Sequence, residues 1–261
     1  MILSEIVEHK RKIIEEAKAA RPLEDIKNEL SLKAIQRRNF KQAISQPHDI
    51  NIIAEIKQAS PSRGFIREDF DPAKIAEAYQ INGASAISVL TEDKFFKGSL
   101  DYIRLVKGVS SLPVLRKDFI IDEYQVYESA LYEADAILLI AELLSKEEIL
   151  KLFSIAKSLN MSVLCEAHSE QELEKVIATK ADIIGINNRD LNTFKLSINT
   201  TENLMTIIPK GKVIVSESGI KSRSDALFLR SLGVNAALIG EVFMDAEEIG
   251  AKVREFTGKN D

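Results

Sequence analysis

Eight short apolar runs, each followed by a helix-like segment, constrain this chain more than any other feature of its sequence. The runs cover residues 52–57, 86–90, 114–116, 136–140, 162–166, 183–186, 213–216 and 236–239. Parallel strands buried on both faces read as continuous aliphatic stretches, and ISVL, AILLI and ALIG have that form. Helical patterns follow at 72–81, 99–107, 123–132, 146–159, 170–178, 199–208, 222–232 and 246–256. Asp71-Pro72 supplies an N-cap with proline at the first helical position, and Ser145 with Glu148 supplies a capping box. Eight alternating units close into one parallel barrel more readily than they extend an open sheet, and such barrels commonly take about 250 residues. The 261 residues, 45% apolar, suffice for one large core. The expected fold is α/β: a single (β/α)8 TIM barrel over residues 49–261, one structural domain.

Residues 1–48 hold no strand pattern and form a helical extension. Ile2, Ile6, His9, Ile13 and Ala17 fall at helical spacing, Arg21-Pro22 breaks the pattern, and a second short helix is expected around residues 23–30. The extension either caps one end of the barrel or lends its apolar face to a ligand pocket.

Net charge is −5, with Lys and Arg scattered among Asp and Glu, so the expectation is no nucleic-acid surface. No apolar run approaches the roughly 18 residues of a membrane span, and the N-terminal segment, which carries Glu5, Glu8, Glu15 and Glu16, lacks an uninterrupted apolar signal region. No membrane association and a cytoplasmic location are expected. The one cysteine, Cys165, sits in an apolar run and reads as a small core residue. His9, His48 and His168 show no ligand spacing, so no metal is expected.

Barrel enzymes keep their chemistry where the strands end at the C-terminal face. Those ends carry Glu55 and Lys57, Thr91 and Glu92, Lys117 and Asp118, Glu142, Glu166, Asn187 and Arg189, Glu217 and Ser218, and Gly240 with Glu241. Period-two alternation puts Glu55 and Lys57 on one side of their strand, and the chain breaks at once into Ser60-Pro61-Ser62-Arg63-Gly64, read as a surface loop. Lys57 and Lys117 leave apolar strands early enough to point inward, where an ammonium needs a carboxylate or an anionic ligand. Glu55, Glu166 and Glu217 are the available partners. Burial is expected to lower the lysine pKa values and raise those of the glutamates, placing a general acid beside a general base. Glycines directly after the last two strands, Gly219 and Gly240, let bare backbone approach an anion where this fold usually cradles phosphate.

Taken together, IAEIKQASPSRG, SVLTEDKFFKGS, PVLRKDFIID, CEAH, IGINNRDL, VSESGI and LIGEVFM, in that order, resemble indole-3-glycerol-phosphate synthase over nearly the whole chain. The resemblance implies a cofactor-free carboxy-lyase of tryptophan biosynthesis. Its small phosphorylated substrate would be 1-(2-carboxyphenylamino)-1-deoxyribulose 5-phosphate, which loses carbon dioxide and water to give indole-3-glycerol phosphate. By resemblance Lys117 donates a proton to the ketone oxygen, and Lys57 pairs with substrate anions or serves as an acid in dehydration. Glu166 is the second acid/base group, and Glu55 tunes Lys57 or takes part in the last deprotonation. Asn187, Arg189, Glu217, Ser218 and Ser60 would hold the substrate's polar groups, Phe96 and Phe119 would pack its ring, and Gly219, Gly240 and Glu241 would bind phosphate. Ala59 stands where some homologues carry lysine, and Glu241 where others carry serine. The alternatives are a phosphoribosyl-anthranilate isomerase, expected to lack the paired lysines and the SPS loop, and a catalytically silent barrel. Monomer and homodimer both remain open.

Overall fold

The computed structural model describes residues 2–47, 49–190 and 195–259. Helices α1 (Ile2–Ala20), α2 (Leu23–Ser31) and α3 (Phe40–Ala43) precede strand β1 (Asn51–Ile56). A two-rung antiparallel hairpin follows, β2 (Ala59–Ser60) with β3 (Gly64–Phe65), then α4 (Pro72–Ile81), β4 (Ala86–Leu90), α5 (Asp101–Val109) and β5 (Val114–Lys117). Next come α6 (Glu123–Leu131), β6 (Ala136–Ile140), α7 (Lys146–Ser158), β7 (Ser162–Ala167), α8 (Glu170–Ala178) and β8 (Ile183–Asn187). The chain ends with α9 (Asn199–Met205), β9 (Val213–Glu217), α10 (Arg223–Ser231), β10 (Ala236–Ile239), α11 (Glu241–Met244) and α12 (Ile249–Thr257).

All barrel strands are parallel and close in the order β1-β10-β9-β8-β7-β6-β5-β4, with β4 returning to β1. Each expected apolar run forms one of them. In three strands the ladder extends to a polar residue, so that Lys117, Asn187 and Glu217 end β5, β8 and β9. The helix caps form as the sequence dictates: the Asp71 side chain accepts from Ala73 and Lys74, and Ser145 and Glu148 bond reciprocally.

Side-chain parity divides the wall into two apolar layers. Ile52, Ala54, Ile87, Ile137, Cys165 and Ile184 face the helices, whereas Ile53, Leu115, Leu138, Leu164, Val215 and Leu238 fill the barrel. Cys165 is buried in the outer layer, where desolvation pushes its thiol up to about 12. The inward parity continues through the strand ends, which aims Glu55, Lys57, Lys117, Glu166, Asn187 and Glu217 at the mouth.

The helical extension reaches both ends of the barrel. At the N-terminal end of the strands Phe40 and Ile44 are fully buried against the inner layer, and Arg37 and Arg38 donate to the Ala130, Ala134, Lys107 and Leu112 carbonyls. At the opposite end the start of α1 lies over the mouth. The buried face of α1 is Leu3, Ile6, Lys10 and Ile14, one residue round from the expected stripe of Ile2, Ile6, His9, Ile13 and Ala17. A buried carboxylate in the barrel wall, Asp118, accounts for the difference by drawing Lys10 inward to 2.8 Å. The segment read as a surface loop forms the β2–β3 hairpin, with Gly64 at φ +68° completing its turn. Among the described residues no helix is long and apolar enough to cross a membrane.

Candidate active site

A cavity of about 570 Å³ opens at the C-terminal end of the strands, and every residue proposed above for catalysis, substrate or phosphate lines it. Its polar floor is built by strand ends. Lys57 Nζ lies 2.8 Å from Glu55 Oε1 at the end of β1. Across the mouth, Lys117 Nζ stands between Glu166 Oε2 at 3.7 Å and Glu217 Oε2 at 3.6 Å, close enough for ion pairing and long for hydrogen bonds. Asn187 Nδ2 donates to Glu166 Oε1 at 3.0 Å, while Asn187 Oδ1 accepts from the Arg189 amide. His168, which precedes the cap of α8, holds the Asn187 carbonyl through Nδ1 at 2.7 Å.

The protonation pattern departs from the sequence-based expectation. Burial acts to lower the Lys117 pKa, but Glu166, Glu217 and Glu55 outweigh it and hold this ammonium above the ordinary lysine range. Burial acts to raise the Glu55 carboxyl, yet Lys57 and Lys117 keep it below the usual carboxylate value. Glu217 moves as anticipated. Desolvation and the neighbouring Glu166 carboxylate push it far up against the pull of Lys117. Convergence of carboxylates on one ammonium makes the difference, since local field outweighs desolvation for the lysine. Neither Glu217 oxygen nor Glu166 Oε2 makes a hydrogen bond to any described residue, although all three are buried. A glycine makes room for this group: a Cβ on Gly185 would stand 2.5 Å from Glu217 Oε1. Sequence reasoning missed Gly185, although a glycine at an inward position of an apolar strand signals close approach.

The apolar side of the cavity comes from two sources. Phe96 and Phe119 lie with ring centroids 6.0 Å apart, and Ile2, Leu3 and Ile6 of α1 cover the same cluster. Ile2 and Ile6 belong to the apolar face expected either to cap the barrel or to line a pocket, whereas Leu3 and Leu196, which also line the cavity, were absent from the sequence-based set. Glu92, one of the strand-end charges, faces away from this chemistry: its carboxylate accepts the Lys94, Phe95 and Phe96 amides and so fixes the loop that presents Phe96. Asp118 likewise turns into the wall, accepting from Thr91, Arg116, Lys10 and its neighbour's amide.

At the far side, Ser218 and Gly219 both adopt positive φ, +66° and +77°, and Gly240 precedes α11. The buried Asn188, also missed, bonds to Ser216 Oγ and to the Ser218 carbonyl and holds this turn. The Glu241 carboxylate is engaged by Arg63 at 3.2 Å and by Arg189 at 3.6 Å, leaving its backbone amide as the group suited to an anion. Ser60 lies in the cavity wall with its hydroxyl 3.4 Å from Ser62 Oγ.

His9, Glu92 and Asp93 bring potential ligand atoms within 4.8 Å of one another. Glu92 is already occupied by three amides, and Lys10 Nζ lies 4.0 Å from Asp93 Oδ1, so the group forms an ion-pair and capping network. His48 lies outside the described residues.

Comparison with known proteins agrees with this arrangement. The family model described as indole-3-glycerol phosphate synthase matches residues 3–256. The indole-3-glycerol phosphate synthase of Thermoanaerobacter sp. (strain X514) is 52% identical, covering 99% of each chain. That of Campylobacter fetus subsp. fetus (strain 82-40) is 49% identical over 99% of this chain and 100% of its own. Among solved structures, 3-hexulose-6-phosphate synthase from Salmonella typhimurium superposes with a TM-score of 0.64 at 12% identity, over 80% of this chain and 97% of its own. The N-acetylmannosamine-6-phosphate 2-epimerase from Clostridium perfringens gives 0.62 at 13% identity, over 87% and 99%. At such identities these two bear on the fold alone. A match across almost the entire chain, at about half identity to full-length relatives, makes this chain a member of the indole-3-glycerol phosphate synthase family.

Proposed function

We propose that the cavity converts 1-(2-carboxyphenylamino)-1-deoxyribulose 5-phosphate into indole-3-glycerol phosphate, carbon dioxide and water, with Lys117 as the proton donor of ring closure. The observation that carries this reading is the half-buried Lys117 ammonium, lining the cavity and flanked by the buried Glu166 and Glu217. As the carboxylate-bearing ring carbon attacks the ketone carbon, negative charge grows on the ketone oxygen. An ammonium held in a low-dielectric site stabilises that charge and transfers its proton there. The carboxylate then leaves as carbon dioxide, and its bonding pair returns to the ring. The new hydroxyl departs as water on taking a second proton, while a proton leaves the former methylene carbon to a base.

Lys57, paired with Glu55, is assigned the second proton. Glu166, oriented by Asn187, is assigned the base. Glu217, whose carboxyl is pushed up by burial and by the neighbouring Glu166, stands on the other side of the Lys117 ammonium from Glu166. Phe96 and Phe119 pack the anthranilate ring, with Arg189 and Ser60 towards its carboxylate and hydroxyls. Ser218 and the amides of Gly219, Gly240 and Glu241 receive the phosphate. We assign the extension and the barrel to one structural unit, because α1 supplies part of the cavity wall, and we place the enzyme in the cytoplasm.

The chain contains no tryptophan, so indole emission reports product without background. Mixing protein with the substrate should yield that emission together with one carbon dioxide per indole. Binding of the phosphate compound with neither signal would overturn the assignment in favour of an isomerase or a silent barrel.

A further inference from the structure

We infer that Lys10, on the helix preceding the barrel, is a positioning residue for the site, acting through Asp118 on its two neighbours, Lys117 and Phe119. The inference rests on the role proposed for Lys117. Asp118 ends its own hydrogen-bonding capacity on four partners: Oδ1 meets Lys10 Nζ at 2.8 Å and the Phe119 amide at 2.8 Å, and Oδ2 meets Thr91 Oγ1 at 2.7 Å and Arg116 Nη2 at 2.9 Å. Thr91, Arg116 and Phe119 belong to the barrel wall and its loops. Lys10 alone of the four comes from the extension. Both charges are out of solvent, with 6% of the Lys10 side chain and 1% of Asp118 exposed. A long, rotamer-rich lysine does not bury itself for stability alone, because desolvation offsets most of what a buried pair gains. What such a pair does supply is register.

Two consequences follow from the helix period. Leu3 and Ile6 lie on the same buried face as Lys10, two turns and one turn nearer the N-terminus respectively, and both line the cavity. The pair therefore fixes how far these two residues reach over the mouth. On the barrel side, Asp118 is bonded to the backbone between the proton donor and an aromatic wall residue, and the Lys117 carbonyl is tied in turn to the Thr91 amide at 3.1 Å. Loss of the Lys10 contact removes the tie between α1 and Asp118 and leaves Asp118 Oδ1 with the Phe119 amide alone.

The test is steady-state kinetics of full-length Lys10→Met, Lys10→Arg and the control Lys12→Met, each assayed well below its melting temperature. Lys12 is exposed on the opposite face. Lys10→Met should lower kcat roughly tenfold, since a displacement approaching 1 Å can cost about a hundredfold, and should raise KM severalfold through the loosened cover. Lys10→Arg should recover both to within about threefold, and Lys12→Met should match wild type. A smaller folded fraction alone lowers apparent kcat without moving KM. Wild-type kcat and KM in Lys10→Met would overturn the inference, as would an equal loss in Lys10→Arg. If Lys10→Met does not fold, Lys10→Gln, which keeps a donor without the charge, carries the same expectation of raised KM and lowered kcat, and wild-type values there would equally overturn it. Failure of the wild-type enzyme to make product would instead count against the role given to Lys117.

Discussion

Glu217 has a buried carboxyl group with neither oxygen hydrogen-bonded to a described residue, beside a second carboxylate, with an ammonium 3.6 Å away. Its pKa is raised on folding, so the folded state binds a proton more tightly there. The stability this lends is complete below the ordinary value of 4.5 and is lost as the pH rises through the folded value. Glu55, with its pKa lowered, has the opposite sign: its contribution is present above 4.5 and disappears as the pH falls through the folded value. Comparing Glu217→Gln with wild type isolates the first effect. The variant should melt higher at pH 8, each kcal/mol relieved being worth roughly 2–4 °C in a chain of this size, and the difference should close towards pH 4.5. A lower melting temperature at pH 8, widening with pH, would mean that Glu217 is held ionised by Lys117. Much of the residue-level pattern was legible in the sequence. Alternation along β1 placed Glu55 and Lys57 on the cavity side, and the same parity applied to β5 sends Lys117 inward and Asp118 outward. The direction of the pKa shifts was not legible, because it depends on how many carboxylates from β1, β7 and β9 meet one ammonium of β5.

The strands were readable because each is buried on both faces and therefore continuously apolar. The hairpin after β1 and the short α11 after β10 were not, since two-residue strands and a four-residue helix are too short to show a period. These two elements meet across the cavity. Arg63 in the hairpin turn donates to Glu241 of α11 at 3.2 Å and bonds also to Asp245. Its side chain is 42% exposed and its acidic partners 39%. Contacts of that exposure are worth about 1 kcal/mol at most. Arg63→Ala should therefore raise KM by no more than about fivefold with little change in kcat, and the difference from wild type should shrink as salt is added. A hundredfold loss of kcat/KM would show that Arg63 touches the substrate. The α1 helix was legible as a helix but not in its rotation. A lysine on a helical face reads as solvated until the carboxylate opposite it is known.

At the scale of the molecule, the barrel holds its polar residues in a ring and the extension reaches both ends, with Phe40 and Ile44 packed below and Leu3 and Ile6 lining the mouth above. Eight strand ends aimed at one point explain how groups more than a hundred residues apart in the chain, such as Glu55 and Glu217, act on one ligand. The closed parallel topology was legible from the alternation of runs. The extension was expected either to cap the barrel or to line a pocket; that it does both was not legible, because helical spacing identifies an apolar face without identifying what it covers. Lys117→Ala, folded as judged by circular dichroism, is assayed for indole emission and for affinity towards a non-reacting substrate analogue. Turnover should be abolished while affinity stays within about tenfold of wild type, as expected for a group that acts chiefly in the transition state. Turnover retained, or turnover and affinity lost in equal measure, would contradict the account and reduce Lys117 to an anchoring charge.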